Sequence, residues 1–232
     1  MILLGLDCET TGLSPETDRI TEMGLVLYSS EDKQPVRITG FLVKPGIPIP
    51  TELEKLTGIT NAMVEAFGVE PSAMTKVISQ LAAHAEFAVA HNAEFDKGFV
   101  TAEFKRQGLE APALPWIDTR TDLPPEAYHK GKSASLRYLA ADHMFVYPAH
   151  RAVHDVLAML EILSRYDLTT TVKRAQTPNV NVRAVVSFDE RMLAKDRGYY
   201  WKPELKQWIK PLKADEVDAE KEAATFPVVV CA

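Results

Sequence analysis

Apolar positions along the first third of the chain come in short runs separated by turn formers. Residues 2–7 make a strand-like run, and after TTGLSPETD residues 19–28 (RITEMGLVLY) make a second. Residues 36–43 make a third, closed by the breaker series KPGIPIP. Three consecutive strands with short connections predict an antiparallel meander. The period then changes. TELEKLTGIT and residues 72–84 have helical spacing, FAVA at 87–90 reads as a short buried strand, and 94–107 is helical again. Trp116 and Ile117 predict one more short strand, 134–141 a short helix and 152–166 a longer one. Strands first, then strands alternating with helices, predict an α/β domain with a mixed sheet flanked by helices.

The pattern breaks at 169–180 (TTTVKRAQTPNV), which is polar and poorly periodic. This divides the chain into a main domain at 1–170, a linker at 171–181 and a small module at 182–232. Within the module, 182–188 is strand-like, 189–197 is a short helix closed by Gly198, and YYWKPELKQWI is a turn between two aromatic strand ends. An acidic tail, DEVDAEKE, precedes TFPVVVCA, so the appendage reads as small and α+β.

Composition narrows the picture. The chain has 232 residues, 46% of them hydrophobic and 25% charged, and no apolar run approaches a membrane span. Met1 leads directly into an apolar run that ends in acids, which predicts a first strand and not a signal peptide. A cytoplasmic protein without a membrane partner is therefore expected. Cys8 and Cys231 stand at opposite ends and form neither a disulfide framework nor a zinc-binding pair. A formal net charge of -6 argues against coating nucleic acid by bulk positive charge. Carboxylates that hold divalent metals count as negative in that tally, yet once metallated they can face a phosphate.

Three acidic segments carry the candidate chemistry. In LGLDCETTG, Asp7 and Glu9 project from one face of a strand and Cys8 from the other. Two such acids either share a cation, for which oxygen ligands suit Mg²⁺ or Mn²⁺, or turn outward to solvent. In FAVAHNAEFDKGFV the strand ends at His91, Asn92 is a good N-cap, and Asp96 falls in the first turn of the following helix, where an acid complements the helix dipole. In YPAHRAVHDVLAMLEILSRY, the stripe Ala152, Val156, Met159, Leu163 and Tyr166 defines a buried helix face. Asp155 lies at its edge and His154 nearly opposite. His150 approaches Asp155 only from a preceding loop, which Pro148 favours by disfavouring helix upstream.

Taken together, DCETTG, HNAEFD and HRAVHD, in this order across residues 1 to about 168, resemble the DEDDh branch of the DEDD superfamily of 3′ to 5′ exonucleases, which includes the polymerase III ε proofreading subunit and exonuclease X. The resemblance implies a ribonuclease H-like fold, two divalent metal ions (Mg²⁺ or Mn²⁺) held by Asp7, Glu9, Asp96 and Asp155, and His150 as the general base. A histidine with an ordinary pKa of about 6.5 suits that role near neutral pH, and a loop lets it close over substrate. The turn Thr10, Thr11 and Gly12 would bring backbone N–H groups to the terminal nucleotide, with Leu13 packed on the last base. The family places His91 and Asn92 near the substrate strand, although a strand end and an N-cap account for both equally. LTGIT at 56–60 resembles a further family segment and is left outside the catalytic set.

The implied activity is removal of 5′-mononucleotides from DNA 3′ ends, single-stranded or frayed. An exoribonuclease of the same branch and an accessory proofreading subunit bound to a polymerase or repair complex remain alternatives. SFDERMLAKDRGYYWKPELKQWIKP resembles a small domain of uncharacterised function appended to DNA-handling proteins. Its aromatics, Tyr199, Tyr200, Trp201 and Trp208, serve either base stacking or its own core.

Overall fold

The computed structural model describes residues 1–128 and 134–231. Strands β1 (Ile2–Thr10), β2 (Ile20–Ser29) and β3 (Gln34–Leu42) form the antiparallel meander. Helices α1 (Thr51–Thr57), α2 (Asn61–Phe67) and α3 (Pro71–Ala82) lead to β4 (Phe87–Ala90), which lies parallel to β1. Then follow α4 (Ala93–Arg106), β5 (Trp116–Asp118), parallel to β4, and helices α5 (Leu136–Asp142) and α6 (Ala152–Leu163). The sheet order is β3-β2-β1-β4-β5, a mixed sheet as expected.

Each face of this sheet has its own core, because strand residues alternate between faces. Leu4, Leu6 and Cys8 of β1 meet Ile78 of α3 and Phe99 and Phe104 of α4 on one side. Leu3 of β1 and Val26 of β2 meet Val156, Met159, Leu160 and Leu163 of α6 on the other. Helix α6 lies unusually close to the strands. The registers Asp7↔Gly24 and Gly24↔Gly40 set a row across the sheet that starts in an acid and continues in two glycines. A Cβ at Gly24 would stand 2.5 Å from the Ala152 carbonyl carbon, and one at Gly40 would collide with the Val153 side chain. The missing side chains therefore admit the N-terminal turn of α6 against the sheet beside Asp7.

Several local expectations change. β1 continues to Thr10, so Asp7 and Glu9 lie within the strand, whose pairing with β2 shifts register only between Glu9 and Thr10. A second short helix, α2, follows the first, started by the Thr60 hydroxyl accepting from the Met63 N–H at 3.2 Å. The polar stretch expected as linker is largely helix α7 (Leu168–Gln176). Its apolar content is low, but the Asp167 carboxylate accepts from the Thr170 N–H at 2.8 Å and Thr171 is buried, so capping and tertiary contact make up for weak periodicity.

The C-terminal appendage comprises β6 (Asn179–Ala184), α8 (Arg191–Asp196), β7 (Tyr200–Lys202), β8 (Gln207–Lys213), α9 (Val217–Ala223) and β9 (Val228–Val230). Its sheet runs β7-β8-β6-β9. β6 starts earlier than expected and ends at Ala184, and much of the acidic tail is helix α9. Tyr199 belongs to this unit's core, whereas Tyr200 and Trp201 are exposed. No helix among the described residues is long and apolar enough to cross a membrane.

Candidate active site

The site forms where the end of β1 meets the start of α6. Carboxylate oxygens of Asp7, Glu9 and Asp155 lie within 4.8 Å of one another. Asp155 is held from two sides: the Tyr147 hydroxyl donates to Oδ1 at 2.9 Å and the Arg151 N–H to Oδ2 at 3.0 Å. Beside Glu9 in the sheet stands Glu22 of β2. This buried acid accepts from the Arg151 guanidinium at 2.8 to 3.3 Å and from the Ala152 N–H at 2.9 Å, thereby fastening the first turn of α6 to β2.

Asp96 approaches from the opposite helix layer. It is buried in the first turn of α4, and its Oδ1 accepts the Cys8 N–H at 3.0 Å. Its carboxylate therefore reaches the backbone of β1 next to Asp7 and is not one of the three converging carboxylates. Cys8 packs in the core on the far face, as its strand position requires, yet its backbone orients Asp96.

These acids share one electrostatic problem. Burial raises Asp7 well above the usual carboxylate range, and the charges of Asp96, Asp155 and Glu9 raise it further. Burial, with Asp155 and Glu22 nearby, pushes Glu9 up to about 7. Asp96 is also pushed up to about 7 by burial, against the lowering effect of its hydrogen bonds from Cys8. Asp155 is raised by burial while Tyr147, Arg151 and His150 pull it down. Acids packed this way ionise together only with compensating positive charge, and an all-oxygen donor set fits a hard divalent cation. Asp7, Glu9 and Asp155 can thus coordinate a divalent metal ion.

The remaining predicted residues fall into two groups. His150 is exposed on the loop just before α6, with a φ of 65°, while His154 points to solvent from α6. A left-handed non-glycine residue is uncommon and marks a backbone held by its surroundings. Leu13 is 84% exposed, an apolar side chain left in water beside the site. The others are engaged internally. The Thr10 hydroxyl donates to Gly12 O at 2.6 Å, and the Thr11 N–H donates to Arg19 O at 2.8 Å. A Cβ on Gly12 would fall on the Asp18 carboxylate, which also accepts from the Ser14 N–H. Packing of this loop thus favours glycine here. The His91 ring is fixed between Thr119 Oγ1 at 2.9 Å and Ala134 O at 2.8 Å. Asn92 occupies the N-cap of α4 with a φ of 85°, but its side chain does not bond the helix; it accepts from Arg120 at 3.2 Å.

Sequence reasoning passed over Glu22, Arg151 and Tyr147. For Glu22 a signal existed, an acid in the middle of the apolar run RITEMGLVLY. Nothing local marks Tyr147 or Arg151, because their roles depend on Asp155 and Glu22 arriving from elsewhere.

Residues 4–163 match the family described as exonuclease. The chain belongs to this exonuclease family. Residues 180–231 match a family described as a domain of unknown function. The PolC-type DNA polymerase III of Caldanaerobacter subterraneus subsp. tengcongensis is 35% identical over 157 residues, 67% of this chain and 11% of that protein. The 3′-5′ exonuclease DinG of Bacillus subtilis is 38% identical over 116 residues, 49% of this chain and 12% of that protein. The matched stretch is therefore a small part of either relative's length. Among solved structures, exonuclease X in complex with 5′ overhanging duplex DNA superposes with a TM-score of 0.53 at 24% identity, covering 75% of this chain and 99% of that one. E. coli exonuclease I in complex with a dA16 oligonucleotide gives 0.67 at 18% identity, covering 99% of this chain and 62% of that one. These are likenesses of fold. The second extends through the C-terminal appendage, and a DEDDh exonuclease fold is what the whole site is built on.

Proposed function

We propose that this exonuclease-family chain is a metal-dependent 3′ to 5′ exonuclease that releases 5′-mononucleotides from DNA 3′ ends, single-stranded or frayed. The observation that carries the reading is the convergence of Asp7, Glu9 and Asp155 within 4.8 Å, with His150 on the adjoining loop. Asp7, Glu9 and Asp155, together with Asp96, would hold two divalent cations, Mg²⁺ or Mn²⁺. When bound, such ions supply Lewis acidity to the attacking water and to the leaving oxygen. His150 accepts a proton as water attacks the terminal phosphorus. The bond from phosphorus to the 3′ oxygen then breaks and that oxygen takes a proton from solvent, leaving a hydroxyl on the shortened strand and a 5′-phosphate on the released nucleotide, while His150 returns its proton to solvent. Tyr147 and the Arg151 amide keep Asp155 oriented. Leu13 packs on the terminal base, a sequence-tolerant contact that suits degradation without base preference.

DNA is favoured over RNA as substrate because similar proteins include the PolC-type DNA polymerase III, and the superposing structures of exonuclease X and exonuclease I are bound to DNA. Matched DNA and RNA oligonucleotides labelled at the 5′ end test the proposal, with Mg²⁺, Mn²⁺ or a chelator. The expected result is a ladder shortening from the 3′ end of DNA that the chelator abolishes. Faster loss of RNA would overturn the substrate assignment. Activity that appears only with a polymerase added would favour an accessory proofreading role.

A further inference from the structure

The C-terminal appendage is tied to the main sheet by a buried ion pair. Lys213, the last residue of β8, is 3% exposed, and its Nζ stands 2.6 Å from Oδ1 of Asp122, itself 4% exposed. The two are separated by 91 residues in sequence. Nearby cations are also partnered: Arg174 of α7 with Glu216, and Arg197 and Lys210 with Glu220. Lys213–Asp122 and Arg174–Glu216 join the appendage to the residues before it, while the two pairs to Glu220 lie within the appendage.

The pair at Asp122 does not end there. Its second oxygen accepts the Asp118 N–H at 2.8 Å, at the end of β5. The Asp118 carboxylate in turn accepts the Asn92 N–H and the Arg120 N–H, both at 2.9 Å. Arg120 donates to the Asn92 side chain, which makes no capping bond to α4. Asn92 is held with a φ of 85° at the N-terminus of α4, and Asp96 lies one turn on, bonded to Cys8 of β1. A run of hydrogen bonds therefore leads from the appendage to Asn92, and the first turn of α4 carries it on to Asp96. Buried charges that are paired and fully hydrogen-bonded hold geometry closely, and leaving one unpaired is costly.

We propose that Lys213 is a positioning residue of the exonuclease site: through Asp122, Asp118 and Asn92 it sets the placement of Asp96, and with it the affinity of the site for divalent metal. The inference rests on the exonuclease reading above. It makes the appendage part of the working site's support and gives its attachment a function separate from any contact with nucleic acid.

The test uses the full chain and measures Mn²⁺ binding without substrate, by titration calorimetry or the free-ion electron paramagnetic signal, beside turnover and thermal midpoint. Lys213→Met is expected to weaken Mn²⁺ binding about tenfold, the low end of what removing a direct partner of a metal ligand costs, since Lys213 acts through intervening residues. Its kcat should fall with little change in KM for the oligonucleotide. Arg197→Met breaks an ion pair to Glu220 that lies wholly within the appendage and does not touch Lys213 or Asp122, so it should lower the thermal midpoint and leave Mn²⁺ affinity unchanged. Lys213→Arg should restore most of the affinity. If Lys213→Met does not fold, Lys213→Gln, which keeps one donor toward Asp122, is expected to weaken binding by a smaller factor, about threefold. Unchanged Mn²⁺ affinity in Lys213→Met and Lys213→Gln, or an equal loss in Arg197→Met, overturns the proposal while leaving the exonuclease reading intact. A parent chain that binds no Mn²⁺ and shortens no 3′ end overturns both.

Discussion

Crowding of carboxylates predicts that the metal-free protein becomes less stable as pH rises. Glu9 keeps its proton up to about 7 in the folded chain, whereas a solvated glutamate loses it near 4.5. Between those values the folded state binds more protons than the unfolded state, so stability falls through that window and levels off above it. At about 1.4 kcal/mol per pH unit the displacement of Glu9 corresponds to about 3 kcal/mol, reduced to about 2 kcal/mol by its partial contact with water. For a chain of this size that is a fall in Tm of about 4–8 °C. Glu9→Gln cannot ionise, so its metal-free stability should decline less with pH and exceed the parent's at about pH 8. His91 works in the opposite direction, because burial lowers its pKa, and it contributes to both proteins alike. The difference between the two profiles therefore isolates the acid cluster. Calorimetric Tm values in EDTA from about pH 5 to about pH 8 provide the measurement, repeated with Mn²⁺. Metal should raise the parent's Tm strongly at the alkaline end and weakly at the acid end, since it binds the ionised carboxylates. Parallel profiles for parent and variant would refute the reasoning.

Other expectations follow from the same geometry. Asp155→Asn and His150→Ala should each lower turnover by about 10²-fold or more without unfolding the chain, while His154→Ala leaves activity near the parent's, as read from 3′-end digestion rates. Glu22→Ala removes both the partner of Arg151 and the acceptor for the Ala152 N–H, and urea unfolding should register a loss of about 1–3 kcal/mol, with Arg151 left free to rehydrate. Gly24→Ala places a methyl group against the Ala152 backbone and should cost about 1–3 kcal/mol or more while lifting Asp155 from Asp7, so both Tm and turnover fall together. Cys8→Ser retains the N–H that Asp96 accepts, so it should cost about 1 kcal/mol of stability in the core and leave most activity, in the same two assays.

Much of this arrangement was determined locally, and so was legible. Alternation along a strand puts Asp7 and Glu9 on one face and Cys8 on the other, wherever the strand ends. Helical spacing from Ala152 to Leu163 fixes which residues are buried and leaves Asp155 at the edge and His154 outside. The order of strand-like and helical runs specified a mixed sheet beside a small appendage. These follow from backbone periods, which need only neighbours within a few residues.

What the sequence could not decide is what these faces meet. The Arg151 to Glu22 bonds join residues 129 apart, and Lys213 reaches Asp122 across 91. No period links such pairs. They exist because glycines at 24 and 40 let α6 settle against β2 and β3, and because the appendage's sheet delivers Lys213 to a buried acid. Folding likewise turned the Thr10 hydroxyl and the His91 ring toward protein partners and brought Asp96 to the Cys8 N–H, because in a packed interior each polar group is taken by the partner that tertiary contact brings within reach.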